Sequence, residues 1–472
     1  MTLLEVYLER AVRTPGAPAL VHARAPHQVT FTWAQLVDRA REISLALPPR
    51  ARVAVTMRDH PDLVPSVLAV WSQGGVVVPV DSEWGSQVRE VVLTRSGATH
   101  LLDSGGVSPN ALANPDAPAL PADTAMISYT SGSTSSPKGV VLTHGQLLHA
   151  YETAGVKMRE HLGHQPMVFG ASMRMSGLGV LGMTYLWPAV MGMSVVVLPE
   201  LGLTSARDHW RLLREHGVQL TYLVPPLVEL LNRMGQDPGG EVVTCLSGGA
   251  PLSAAGQSLF QDRFDAVLLN VYGMTEVAFA AFFGDLEDGR GTHSIGVPVT
   301  VSARLRDAQG AVVEGEGEGE IELSGPSQSC GYYDNDEDTA ALLREGWVRS
   351  GDLGRRDAEG RYWITGRRKD VVLKGGFTIY LHEIEEAAGQ IPGVVESVAV
   401  RLDLPTGEDV GLIVFAPTVP AAEAIQKELS ATLGRQRAPR RVVLTAEPLA
   451  RLGQEKLDRR AAMVRWQEMI SN

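Results

Sequence analysis

The chain has 472 residues, enough for about three compact units, and its 44% hydrophobic and 20% charged content excludes a disordered or fibrous protein. Lys plus Arg number 42 against 54 Asp plus Glu, and the resulting net charge of −12 excludes nonspecific adhesion to nucleic acid or an anionic membrane. Two cysteines, Cys245 and Cys330, without metal-ligand spacing, exclude a disulfide framework and a zinc site and point to a reducing, cytoplasmic setting.

The N-terminal MTLLEVYLER lacks the basic-then-apolar order of a signal peptide. Between about residues 50 and 275, short apolar runs alternate with helical patterns: RVAVTM, GVVVPV, TAMISYT, SVVVLP, VQLTYLVP, VVTCLSGG and AVLLNVYG. Continuous Val/Leu runs of this kind predict buried, mostly parallel strands covered by helices, an α/β architecture of layered sheets. From Ser176 to Pro199 no charge occurs, a length that could span a bilayer. Pro188, Gly192 and Ser194 interrupt it, so the expectation is a core helix followed by a strand, with no membrane span. Ser205 and Asp208 have capping-box spacing, Ala206, Trp210 and Leu213 share one face, and Gly217 suits the stop of a helix.

Past residue 295 shorter strands (SARLRD, EIELSG, RYWITG) and denser turns predict a β-rich subdomain. The charged GRRKD at 366–370 marks a boundary, giving a large N-terminal domain over 1–367 and a small α+β C-terminal domain over 368–472.

The chemistry concentrates in YTSGSTSSPKGVVLTHG, residues 129–145. Six hydroxyl side chains surround one glycine between Thr130 and Ser136, followed by Pro137-Lys138-Gly139. Such a loop can surround phosphate oxygens with hydroxyl and backbone donors while one ammonium supplies charge. The order Pro-Lys-Gly is not that of the P-loop, which ends in Gly-Lys-Ser/Thr. Only six lysines occur, so 36 of the 42 basic residues are arginine, and Lys138, Lys369 and Lys456 stand out as sites that need a compact ammonium.

With these motifs assembled, the sequence resembles the adenylate-forming superfamily of acyl- and aryl-CoA synthetases, peptide-synthetase adenylation domains and firefly luciferase. The resemblance runs from about residue 5 to 465 and rests on seven segments in family order: YTSGSTSSPKG, LSGGAPLS, NVYGMTE, GYYDNDEDTA, WVRSGDLG, ITGRRKD and PLARLGQEKLDRR. It implies a two-step reaction. A carboxylate attacks the α-phosphate of ATP to give an acyl-adenylate and pyrophosphate, and a thiol then displaces AMP to leave a thioester.

The resemblance carries over Thr130, Ser131, Gly132, Ser133, Thr134 and Lys138 as phosphate-binding positions, Thr275 as a phosphate contact and Glu276 as the Mg²⁺ ligand. Gly248, Gly249, Ala250, Asn270 and Tyr272 become nucleotide-binding positions, Asp352 the ribose carboxylate and Arg367 its basic companion. Lys456 corresponds to the adenylation lysine, and Lys369 to the hinge about which a mobile small domain turns. Lys374, Gly375 and Gly376 correspond to the entrance for a pantetheine arm, and Arg174 and Gly177 to the acyl pocket. Arg174 has two readings: a partner for a second substrate carboxylate, or a side chain reaching solvent or the thiol substrate.

The implied cofactors are ATP, Mg²⁺ and coenzyme A, and the partners are a small carboxylic acid and a thiol, with no nucleic acid and no membrane. The phosphopantetheine arm of an acyl carrier protein is the alternative acceptor, and the basic run RQRAPRR at 435–441 does not separate the two. Ser135, in place of the family glycine, and Glu455, beside Lys456, motivate a third reading, a nucleotide-binding pseudoenzyme. The oligomeric state is not encoded in any motif.

Overall fold

The structure, a computed structural model, describes residues 1–24, 28–56, 60–82, 84–130, 137–163, 167–173, 178–236, 239, 243–287, 290–374, 377–404, 407–416, 421–452 and 456–471. These fall into two compact units, one comprising Met1–Ala303 with Glu322–Arg349 and the other Arg304–Ile321 with Ser350–Asn472.

Two large sheets organise the first unit. Among the described residues one has six strands, in the order Gly106–Pro109, His100–Asp103, Arg52–Val55, Val76–Pro79, Thr124–Thr130 and Lys138–Thr143. Its middle pairings are parallel and its outer ones antiparallel. The other has nine strands, with a parallel centre formed by Val267–Gly273, Thr244–Ser247, Leu220–Leu223, Val168–Ala171, Ser194–Val197 and Pro18–His22. All seven apolar runs read from the sequence are strands of these two sheets. The helix Leu63–Ser72 shows why the sheets are stable. From Leu63 to Trp71 every residue is buried, and the Trp71 indole donates to the Ala125 carbonyl at 2.9 Å, fixing the strand that leads to Thr130.

Two expectations change in detail. The charge-free stretch is a broken helix: α-helical at Leu178–Leu181, π-helical at Gly182–Leu186 and α-helical again at Trp187–Met191. Pro188 has no N–H for the carbonyl one turn back, so the ladder shifts there. Among the described residues no helix is long and apolar enough to cross a membrane. The predicted cap at Ser205 is a turn instead. Its hydroxyl accepts from Gly202 N at 2.9 Å and donates to the Glu200 carbonyl at 2.7 Å, which delays the helix to His209–Glu215. Ala206, Trp210 and Leu213 are nevertheless fully buried, and Gly217, at φ +62°, follows the helix.

The second unit contains the three-stranded sheet Glu396–Leu404, Gly407–Phe415 and Arg441–Thr445, with the first pair antiparallel and the second parallel. Helices Leu381–Gly389 and Ala422–Leu433 bury Ile384, Ala388, Ile425 and Leu429 in the same apolar cluster as Val410, Leu412 and Val414. Helix Arg459–Ser471 places Trp466 in another, with Val398, Val400 and Ile413. This is the α+β pattern expected of the C-terminal part of the chain.

Candidate active site

In the first unit, strand pairing sets Thr130 opposite Lys138. The Thr130 hydroxyl donates to the Lys138 carbonyl at 3.4 Å, closing the base of the loop between them. A second segment lies along the outer side of the Lys138–Thr143 strand: Tyr333 N donates to the Gly139 carbonyl at 2.7 Å and Val141 N to that of Gly331 at 3.3 Å. This pairing sets Tyr332 beside Lys138, with the ammonium 5.1 Å from the ring centroid. The Tyr332 hydroxyl donates to Glu276 Oε1 at 2.7 Å. Burial, then the Glu276 charge, push the Tyr332 pKa up, so the phenol keeps its proton and acts as the donor.

Glu276 is 7% exposed and lies in the single turn Thr275–Val277 that follows strand Val267–Gly273. Thr275 begins that turn and is half-buried. Among the described residues no group of three or more His, Cys, Asp or Glu forms a preformed metal cage. One hard carboxylate oxygen fits Mg²⁺, which keeps several waters and shares a site with phosphate oxygens. Lys138 has a second partner, Asp338, with Nζ 2.6 Å from Oδ1.

Gly248 and Gly249 follow strand Thr244–Ser247. A Cβ on Gly248 would lie 2.3 Å from the Val271 carbonyl oxygen, so close strand packing alone requires glycine there. Gly249, at φ +86°, is exposed, and Ala250 is half-buried. Asn270 is buried, and its amide donates to Gln257 Oε1 at 3.2 Å and to the Thr292 carbonyl at 3.3 Å. In this arrangement Asn270 fixes the strand Val267–Gly273, which carries Tyr272. Tyr272 is half-buried against Phe282, with ring centroids 5.7 Å apart.

In the second unit, antiparallel pairing puts Asp352 opposite Arg367, and Arg367 Nε lies 2.7 Å from Asp352 Oδ1. The Asp352 side chain is 6% exposed and that of Arg367 51%, so a buried acidic side chain is paired with an arm that reaches solvent. Ser350 supports this pair: its hydroxyl accepts from Asp352 N at 3.0 Å and donates to the Ile321 carbonyl at 2.6 Å.

Lys369 is exposed on the turn Arg368–Asp370. Loss of solvent around its ammonium and the neighbouring Arg367 lower its pKa, against the pull of Asp370 and Asp352. Asp370 also lies 3.5 Å from Arg459 Nε, and Arg459 donates to Glu385 Oε2 at 2.8 Å. This ties the turn at 368–370 to the start of the last helix. The Lys374 ammonium is engaged by Asp409 Oδ1 at 2.8 Å and the Ala438 carbonyl at 3.0 Å. Lys456 pairs with Leu452 in a two-residue ladder, and of Lys456 the structure describes the backbone.

Several sequence-predicted positions lie outside the described residues: Ser131, Gly132, Ser133, Thr134, Arg174, Gly177, Gly375 and Gly376, as well as Ser135 and Glu455. Conversely, Tyr332 and Asp338 join the cluster around Lys138 and Glu276 without having been singled out. The signal was present in GYYDNDEDTA, a recognised segment to which no residue role was assigned.

Comparison with known proteins places the chain in a family. The family described as "AMP-binding enzyme" matches residues 8–114 and 103–333, more than half of the chain. The sulfoacetate–CoA ligase of Cupriavidus necator is 35% identical over 341 residues, 71% of this chain, and the match spans 64% of that relative, just under two thirds of its length. Feruloyl-CoA synthase from Amycolatopsis is 29% identical over 443 residues, 87% of each chain. The fold is similar to that of O-succinylbenzoate coenzyme A synthetase from Bacillus subtilis, solved in complex with AMP, at a TM-score of 0.82 and 21% identity over 96% of this chain and 97% of that one. The chain belongs to the AMP-binding enzyme family, within the adenylate-forming superfamily.

Proposed function

We propose that the chain is an AMP-forming acid–thiol ligase that converts a carboxylic acid to an acyl-adenylate and then to a coenzyme A thioester. The observation that carries this reading is the grouping of Lys138, Tyr332 and Glu276, a cation and a carboxylate held on either side of one tyrosine. Relatives named as CoA ligase and CoA synthase support coenzyme A as the acceptor.

Each residue has a defined task in this reading. Lys138 and the hydroxyl loop that begins at Thr130 hold the β and γ phosphates, so the leaving pyrophosphate departs with its charge stabilised. Glu276 would hold Mg²⁺, which would supply charge neutralisation to the triphosphate. Asp352 accepts from the ribose hydroxyls, with Arg367 pairing its other side. Tyr272, Gly248, Gly249 and Ala250 border the adenine. Lys456 supplies the ammonium for the first half-reaction, and Lys369 is the hinge about which the C-terminal domain, 368–472, changes position for the second. The two cysteines are free, Cys245 buried and Cys330 exposed, which suits a reducing compartment such as the cytoplasm.

An assay that offers coenzyme A and a phosphopantetheinylated carrier protein in parallel, across a panel of acids with AMP release as readout, tests the proposal. Acid-dependent AMP release with coenzyme A is expected. ATP binding without acid-dependent pyrophosphate exchange would instead favour the pseudoenzyme.

A further inference from the structure

The phosphate-side lysine already has an anion against it. Lys138 Nζ lies 2.6 Å from Asp338 Oδ1, with the lysine side chain 20% exposed and the aspartate 36%. The other carboxylate oxygen, Oδ2, accepts from Asn335 Nδ2 at 2.7 Å, and Asp338 N donates to Asn335 Oδ1 at 3.0 Å. The Asn335 carbonyl is held in turn by the Thr339 hydroxyl at 2.8 Å. The carboxylate is therefore also held at the start of helix Asp336–Leu342, by a bond that does not involve Lys138.

Helix capping alone does not account for Asp338. Asn335 is the capping residue, and Asp336, Glu337 and Asp338 all lie in the first turn. Among the described residues only Asp338 of these three carries a lysine ion pair. The Lys138 hydrogen bond is the leading cause that lowers the Asp338 pKa, so the carboxylate is charged at neutral pH. A fixed, ionised oxygen at 2.6 Å offers an ammonium what a phosphate oxygen offers: one negative acceptor in a charge-assisted bond.

We propose that Asp338 is an internal counter-anion that occupies Lys138 in the nucleotide-free protein and is exchanged for a phosphate oxygen when a polyphosphate binds. This rests on the reading of Lys138 as a β/γ-phosphate residue. ATP and pyrophosphate must each displace Asp338, whereas AMP lacks the phosphates that would reach Lys138. Asp338 therefore lowers affinity for the polyphosphates selectively. After adenylation it recaptures the ammonium, which favours pyrophosphate release over the reverse reaction.

The test is calorimetric titration of the full chain with Mg·ATP, pyrophosphate and AMP. The variants are Asp338→Asn, Asp338→Ser as a second replacement that keeps a side-chain oxygen, and Asp336→Asn, which removes the same charge from the same turn without touching Lys138. Either Asp338 variant is expected to tighten ATP and pyrophosphate about three- to fivefold, the scale of a partly exposed ion pair, while AMP and the Asp336→Asn protein stay at wild-type affinity. Unchanged or weakened polyphosphate binding in both Asp338 variants would overturn the proposal, as would equal shifts for all three ligands or in Asp336→Asn. Lys138→Ala separates the premise from the inference. If it leaves ATP affinity intact, the phosphate role of Lys138 fails; if it weakens ATP while the Asp338 variants change nothing, only the counter-anion role fails.

Discussion

Tyr332 donates a 2.7 Å hydrogen bond to Glu276, a residue 56 positions earlier in the chain, and its ring stands 5.1 Å from the Lys138 ammonium. One side chain thus fixes the carboxylate and lines the lysine. Tyr332→Phe keeps the ring and deletes only the donor. The loss of a bond to a buried carboxylate costs about 2 kcal/mol, so kcat/KM for Mg·ATP is expected to fall roughly thirtyfold. The Mg²⁺ requirement should rise while KM for the acid stays constant. A variant with an unchanged Mg²⁺ dependence would show that the bond is structural only.

The pairing of Asp352 with Arg367 predicts a ribose-specific effect. Asp352→Asn keeps the shape of the side chain and removes its charge. ATP affinity is expected to fall about tenfold, the value of one charge-assisted contact. The wild-type preference for ATP over 3′-deoxy-ATP should shrink by a similar factor. Steady-state kinetics with both nucleotides gives this ratio, and a ratio that does not move would remove Asp352 from the ribose.

Stability in acid has a separate source. His209 is fully buried, and burial lowers its pKa from 6.5 to about 4. Above pH 6.5 neither the folded nor the unfolded chain binds this proton, and no stability is lost. As pH falls from 6.5 towards 4 only the unfolded chain takes it up, so stability declines and then levels off below the folded value. The decline from this one group is about 2 kcal/mol between pH 7 and pH 5. Urea unfolding of His209→Leu should be correspondingly less pH-dependent over that range, because the variant has no proton to exclude. An identical slope in the two proteins would contradict the assignment.

The strands were legible because parallel sheets buried on both faces leave continuous Val/Leu runs, as in SVVVLP and AVLLNVYG. The start of the helix at His209 was not, because the Ser205 hydroxyl bonds backward to the Gly202 turn and not forward into a helix, and capping-box spacing does not reveal that choice. Lys138 and Glu276 stand in recognisable motifs, and the structure brings both to Tyr332. The Lys138–Asp338 ion pair was not legible, since its partners lie 200 residues apart and meet only once Gly331 and Tyr333 bond to the Lys138–Thr143 strand. Asn270 is legible in part. Its motif marks it as a nucleotide-binding position, and the structure adds what the motif does not tell, that its buried amide donates to Gln257 and the Thr292 carbonyl.

The assignment of Lys456 to the first half-reaction is tested most directly by acid-dependent ATP–pyrophosphate exchange in Lys456→Ala. If Lys456 acts at the α-phosphate as proposed, removing its ammonium slows exchange by about a hundredfold or more. Thioester formation from a supplied acyl-adenylate should continue near the wild-type rate. Exchange at the wild-type rate in the variant would contradict the account.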